Sequence, residues 1–502
     1  MPIDPSDPFA DPAGPDADPP ATVHPLEPPA AQVRAMVTDV LDRLLPWLER
    51  QATGPMSTVS GSQRVARALR GPPPEEPGDW RGILGTLERA LGASLDTTSP
   101  GYLAYVPGGG LPQVAVADLY ADLVNRFTGL WMPAPGFVTL EIEVIRWFAG
   151  ILGLPDAAGG LLTSGGSLAN LGAVVAARHH HLGEDLADGV VYRSDATHHS
   201  VDKTVALAGI PRRNVRSIPV DAAHRLRVDA LDAAIRADRA AGRRPFLVVA
   251  NAGTTAVGAV DPIDAIADRC AEHRVWLHVD AAYGGFFALT ARGTAVLRGI
   301  GRADSVTLDP HKGLFLPYGT GCLIVRDREA LRAAHAVEAT YLPPPADDPL
   351  AWDLADLGPE LSRPNRGLRV WLPVALHGLG AFRRTLDEKL DLAQVAAEAI
   401  RAIPGVRLVS EPTLSLFSFR LEPDGPGGDP GPTDVVNRRW LSATNRRRRV
   451  FLSGAVVVDP AVGRPLFVLR VCVLSYRTHA DRIAMLIEDL RETVAEALGD
   501  AG

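Results

Sequence analysis

The sequence predicts an α/β protein, a mostly parallel sheet covered by helices, followed by a smaller α+β unit. Three observations predict it. Short β-branched runs alternate with alanine-rich stretches of helical length through the middle of the chain. Two of those runs, at 275–280 and 305–309, end on a charged residue and then break at Gly or Pro. Near Arg383 the texture changes, and a helix leads into two successive strands. Strands that alternate with helices favour a parallel sheet buried on both faces.

Residues 1–30 are crowded with Pro, Asp and Ala and hold almost no large apolar side chain. They cannot bury enough surface to offset chain entropy, so a disordered tail is expected. Residues 31–111 form an N-terminal helical segment. Val33, Met36, Val37, Val40, Leu41, Leu44, Leu45 and Leu48 recur at helical spacing, and Pro46 is expected to kink or end that helix. A linker at 72–77 precedes a second helix over 79–95.

The large α/β domain is expected over 112–382. Its strands are read at 160–163, 190–195, 246–251, 275–280, 305–309 and 322–326, with helices at 167–181, 201–208, 228–240 and 262–272. The small C-terminal α+β domain covers 383–502. It begins with a helix over 386–403, strands at 406–410 and 414–421, and a Gly/Pro loop at 423–432. Another helix, strands at 451–458 and 466–474 and a last helix complete it. That helix starts at Thr478 with Asp481 three residues on, a capping-box pattern, and its apolar stripe is Ile483, Leu486, Leu490, Val494 and Leu498.

Composition narrows the function. The 502 residues carry a formal net charge of −8, which argues against a nucleic-acid partner. The three cysteines, Cys270, Cys322 and Cys472, lie far apart without CxxC spacing, so neither a disulfide framework nor a metal site is expected. No apolar run approaches the roughly 20 residues of a membrane span, and the N-terminus lacks a basic segment followed by an apolar core. A cytoplasmic, reduced protein with no membrane partner is expected.

The chemistry sits at strand ends. In open α/β sheets ligands lie beyond the carboxyl ends of the strands, and Asp280 and Lys312 both fall there. Such a pair can grip opposite sides of a flat aromatic cofactor. Pyridoxal 5′-phosphate (PLP) needs an amine for a Schiff base and a carboxylate that keeps its ring nitrogen protonated. An aspartate at a strand end often only caps the next element, and a lysine after a Pro turn is often only a surface lysine. Here Ala281, Ala282, Gly284 and Gly285 clear space that a solvent-facing cap would not need.

Three further segments fit the same ligand. Ser164-Gly165-Gly166-Ser167 follows a strand and opens a helix, so Gly166 admits an anion to unpaired N–H groups while Ser167 caps the helix or donates to a phosphate. Alone it is equally a Gly-rich turn with a serine cap, and it is neither a P-loop nor a GxGxxG fingerprint. His198, at the end of the next strand, can stack on a pyridine ring or be one of two loop histidines. A metal site joining His198 and His199 to His179, His180 and His181 lacks a second-shell pattern. In Asn251-Ala252-Gly253-Thr254-Thr255, small residues leave room for a ring, and Thr254 has a hydroxyl in reach; a plain turn reads as well. The Arg446–449 run reads as a solvated basic edge.

Taken together, Asp-Pro-His-Lys at 309–312, His-Val-Asp-Ala-Ala-Tyr at 278–283 and Ser-Gly-Gly-Ser-Leu-Ala-Asn at 164–170 resemble the group II PLP-dependent decarboxylases of fold-type I, the aromatic-L-amino-acid and glutamate decarboxylase family. The resemblance runs from about Pro100 to about His479 and includes Trp131 to Glu141 and Arg363 to Trp371. It implies a seven-stranded sheet, a homodimer with its site at the subunit interface, and decarboxylation of an L-amino acid, aromatic favoured, through Schiff-base chemistry. It also implies roles. Lys312 would carry the cofactor, Asp280 would pair with its ring nitrogen and His198 would stack on the ring. Gly166 and Ser167, with Asp309 or His311, would bind the phosphate. Tyr341 would protonate the substrate carbon, and Arg363 would line the site. Tyr105 and Gly108 fall in the stretch that shapes the substrate pocket. Three departures bear on this: Asp309 stands where many members have Asn, Gly313 replaces a common Trp or other aromatic, and Gly108, Gly109 and Gly110 replace bulkier residues. An aminotransferase, an oxidative aldehyde synthase and a non-catalytic PLP-binding protein remain as alternatives.

Overall fold

The computed structural model describes residues 26–57, 59–337, 351–423, 425, 430–460 and 463–499. Tyr341, most of the N-terminal tail and much of the 423–432 loop lie outside them. Seven strands form the large sheet: β1 (Gly159–Thr163), β2 (Gly189–Ser194), β3 (Val215–Ile218), β4 (Arg244–Asn251), β5 (Trp276–Asp280), β6 (Ser305–Leu308) and β7 (Gly321–Val325). Their order is β1-β7-β6-β5-β4-β2-β3. Only β7 runs antiparallel to its neighbours, so the carboxyl ends of the other six share one edge.

The central strands are buried throughout, as helices on both faces require. Helix Gly166–Leu182 packs its alanines against the sheet: Ala169, Ala173, Ala176 and Ala177 are fully buried, and small side chains let the helix axis come close. The edge strand β3 did not stand out in the sequence. It has four residues and is half-exposed, so neither length nor an apolar run marks it.

Four antiparallel strands make the second sheet, in the order β10-β11-β9-β8: β8 (Val406–Ser410), β9 (Leu416–Leu421), β10 (Ser453–Asp459) and β11 (Arg464–Cys472). Trp440, Phe417, Phe419 and Leu486 belong to its own buried core. The Arg446–449 run differs from the solvated edge expected. Arg447 and Arg449 pair with Asp489, whose side chain is fully buried, so the run pins the C-terminal helix Ala480–Glu492.

Two terminal signals resolve differently from expectation. Helix Ala30–Arg50 runs through Pro46. None of its residues is buried, so water can take the carbonyl that the proline leaves unbonded. Thr478 does not cap the last long helix; its hydroxyl donates to the Pro100 carbonyl at 2.7 Å, and His479 stands at the cap position with its ring turned to Glu388 and no bond to the helix amides. Among the described residues no helix is long and apolar enough to cross a membrane.

Candidate active site

A cleft of about 320 Å³ opens at the shared carboxyl edge, and residues following β1, β2, β4, β5 and β6 line it. Lys312, Asp280, His198, Gly166, Ser167, Thr254, His311 and Asp309 all do so, from segments up to 146 positions apart in sequence. Each reaches the cleft because its strand ends there.

Lys312 lies on the short helix Pro310–Gly313, directly after β6. Its ammonium pairs with the Asp309 carboxylate, Nζ to Oδ2 at 2.8 Å. Burial disfavours the charge, but Asp309, by charge and hydrogen bond, and Asp280 outweigh it and raise the lysine above its ordinary pKa. Asp309 is almost fully buried, and its Oδ1 has no hydrogen-bond partner.

Asp280 ends β5, held by a polar network beneath the cleft. Its Oδ2 accepts from Asn170 Nδ2 at 3.0 Å and its Oδ1 from the Ala282 amide at 3.2 Å. The other amide hydrogen of Asn170 points to Ser200 Oγ, 3.2 Å away, and Ser200 Oγ is 2.8 Å from His198 Nδ1. The Asn170 carbonyl accepts from Thr307 at 2.7 Å and faces His278 Nε2 at 3.0 Å. Behind it, the Trp276 indole donates to Ser305 Oγ, which lies 2.8 Å from His278 Nδ1. One assignment of donors satisfies every member. Ser305 donates to His278 Nδ1, so the Nε2–H of His278 donates to Asn170, and Ser200 donates to His198 Nδ1, which leaves the Nε2–H of His198 free for another acceptor. Burial agrees: it lowers His278 to about 4 and also lowers His198, which keeps both rings neutral near pH 7.

The helix Gly166–Leu182 points its N-terminus into the cleft. Gly165, not Ser167, is its cap residue; Ser167 sits in the first turn with its side chain exposed. A Cβ on Gly166 would come within 3.1 Å of Asp309 Oδ2 and 3.3 Å of Ala282 Cβ, so a side chain there would crowd both neighbours. Thr254 is buried and its Oγ1 accepts from the Ala259 amide at 3.1 Å. His311 Nδ1 is 2.6 Å from the Thr320 carbonyl, and burial lowers its pKa.

Arg363 is elsewhere. Its side chain is fully buried, donating to Glu141 at 2.6 Å and to the Leu162 carbonyl at 2.7 Å, so it fastens a loop to β1 and does not line the cleft. Tyr105 and Gly108 also lie outside the lining. The glycines at 108–110 answer a packing demand: a Cβ on Gly109 would overlap the Phe315 backbone at 2.3 Å, and Gly109 and Leu111 bond the carbonyls of His311 and Phe315 on the Lys312 turn. Sequence reasoning gave no role to Asn170. The signal was available, a polar residue on the buried face of an alanine-rich helix.

Known proteins resemble this chain over most of its length. The family model described as "Pyridoxal-dependent decarboxylase conserved domain" matches residues 65–422. An aromatic-L-amino-acid decarboxylase of Bacillus atrophaeus is 33% identical over 93% of this chain and 97% of its own length. A phenylacetaldehyde synthase of Arabidopsis thaliana is 30% identical over 73% of this chain and 78% of its own. The crystal structure of Oryza sativa TDC with PLP and tryptamine superposes with a TM-score of 0.88 at 27% identity, covering 95% of this chain and 99% of that one. The chain belongs to the pyridoxal-dependent decarboxylase family and is a PLP-dependent carboxy-lyase.

Proposed function

We propose that this protein removes the carboxylate of an aromatic L-amino acid, releasing the amine and carbon dioxide. The observation that carries the reading is the convergence of Lys312, Asp280 and the N-terminus of helix Gly166–Leu182 on one cleft. An amine, a buried carboxylate and an anion-binding helix end form the donor set that PLP requires. When bound, PLP supplies an electron sink for the pair left behind as carbon dioxide departs. The aromatic preference is supported by the Bacillus relative and by tryptamine in the superposed structure.

Each residue then has a task. Lys312 is the attachment point. Asp280, oriented by Asn170, holds a proton on the ring nitrogen through its charge, aimed electrostatics of the kind that usually dominates catalysis. His198 offers its ring face and an unengaged Nε2–H. The Gly166 and Ser167 amides, the Ser167 hydroxyl and His311 take the phosphate, and Thr254 is a further lining residue for the cofactor. Tyr341, outside the described residues, is assigned the return of a proton to the substrate carbon. Tyr105 borders the substrate: Arg470 ties its carbonyl to that of Thr255, a lining residue.

The domain limits proposed are a tail to residue 30, a helical segment over 31–111, the PLP-binding domain over 112–382 and the small domain from 383. A homodimer is proposed because Leu41, Leu44, Leu45, Ile83 and Leu87 stand exposed on the N-terminal helices and Leu123 on the helix Gln113–Val124. The three buried, free cysteines support a cytoplasmic site of action. Purified protein with a panel of amino acids, scored for carbon dioxide and amine, tests the reading. Equimolar amine and carbon dioxide from an aromatic substrate is expected, and keto acid without carbon dioxide overturns it. The aldehyde synthase relative favours a second outcome, which hydrogen peroxide and ammonia would reveal.

A further inference from the structure

The Asp309 carboxylate sits where a phosphate is expected. Its Oδ2 and Oδ1 lie 3.1 and 3.4 Å from the position a Cβ on Gly166 would take, at the first residue of helix Gly166–Leu182. Its Oδ1 is buried and unpartnered although the open N–H groups of that helix are close by, and its Oδ2 holds Lys312. A buried carboxylate oxygen without a donor is a costly arrangement. We propose that Asp309 is a resident anion that competes with the cofactor's phosphate for the helix end and for Lys312, so that cofactor capture is gated by pH. This rests on the PLP reading above and adds a regulated loading step to it.

The physical basis is like-charge exclusion. Two anions a few ångströms apart in a partly desolvated cradle repel by several times what they would in bulk water. Entry of a phosphate is therefore easier once the phosphate itself carries an additional proton, which it gains as pH falls toward about 6. The other titratable groups around the carboxylate are Lys312 and His311 on its own turn, Asp280 on β5, His198 after β2 and Cys322 on β7; Cys472 on β11 acts on Lys312. Burial keeps the two histidines and the two thiols neutral, so Lys312 and Asp280 are the charges left to balance. Removing the carboxylate's charge frees the helix end. It also lets burial act on Lys312 with less opposition, so more of the lysine is the neutral amine that attachment needs.

Full-length protein freed of cofactor is titrated between pH 6 and 8, first with PLP and then with inorganic phosphate as competitor. Attachment is read by visible absorbance and phosphate affinity by the competition. Asp309→Asn is expected to bind phosphate and PLP at least tenfold more tightly at pH 8, with the advantage shrinking toward pH 6, and to form the absorbing linkage at lower pH than the parent. Removing the Asp309 charge lowers His311 and His198 further, which keeps both rings neutral across this range, so the difference between the two proteins reports Asp309. Equal or weaker phosphate binding by Asp309→Asn at pH 8 overturns the proposal. Asp309→Ser serves if the asparagine variant does not fold, and the same comparison decides. A parent that forms no absorbing linkage with PLP refutes the PLP reading, whereas a normal parent matched by its variant refutes only the competition.

Discussion

Two buried ion pairs, both picked out by sequence motifs, behave as opposites. Lys312 with Asp309 lies on the turn after β6; Arg363 with Glu141 lies between β1 and the helix Pro135–Leu152. Both leave a buried polar atom without a partner, Asp309 Oδ1 in one and Glu141 Oε2 and Arg363 Nε and Nη1 in the other. Orphaned atoms therefore do not separate a working site from a structural one. Access does: the Lys312 side chain keeps 24% of its surface exposed, toward the cleft, while Arg363 keeps none. A charge that must meet a ligand needs an open side. A charge that fastens a loop to a strand does not.

The sharpest way to break this contrast is to cut each pair in turn. Lys312→Ala should abolish the visible absorbance that PLP gives with the parent and all turnover, which absorbance and amine release would check. It should also cost less stability than the cut at the other pair, because water from the cleft can reach Asp309. Arg363→Leu leaves Glu141 charged and enclosed, so about 3–5 kcal/mol of unfolding free energy should be lost in denaturant melts. The cofactor absorbance of the surviving folded fraction should be unchanged; its loss would return Arg363 to the site. Next in size, Asp280→Asn keeps the shape and removes the charge, and kcat should fall about 10²–10³-fold with little change in stability. A drop below tenfold would take the ring-nitrogen role from Asp280.

The same contrast explains what the sequence made legible. Asp280 could be found because it ends an apolar run and is followed by small residues that leave room, and Lys312 because it stands just past a second such run after a Pro turn; both signals are local. The large sheet could be read from its buried central strands for the same reason, while the four-residue edge strand β3 could not. Arg363 was misplaced because its motif is local and its burial is not: only the fold brings Glu141 against it, 222 positions away. The glycines at 108–110 look like a pocket made larger, yet each meets a close neighbour: the Tyr318 ring at Gly108, the Phe315 backbone at Gly109 and the Thr98 side chain at Gly110. Asn170 was quoted as part of a motif, but its partners come from β5, β6 and the start of the helix after β2, and no linear pattern joins them.

That network sets the smallest effect, and one that depends on pH. His278 is buried and neutral in the folded protein, lowered to about 4 by desolvation, whereas the unfolded chain takes up its proton near the ordinary value of 6.5. Between those values the unfolded state binds more protons, so stability falls as pH drops from about 6.5 toward 4. At pH 5 this group alone costs about 2 kcal/mol relative to neutral pH. Asp261 works in the opposite sense: it is raised to about 6 by burial, and its contribution fades as pH rises. The parent's net profile mixes these with other groups shifted by burial, His181 and His224 among them, so the difference from a variant isolates the imidazole. His278→Gln can still bond Asn170 and cannot titrate. Its unfolding free energy should change less between pH 7 and pH 5 than the parent's, by about 2 kcal/mol in matched denaturant melts. Parallel profiles would mean that His278 is protonated as readily in the folded state as in the unfolded one, and Ser305 would then accept from Nδ1–H instead of donating to it, with the Nε2–H bond to Asn170 unchanged.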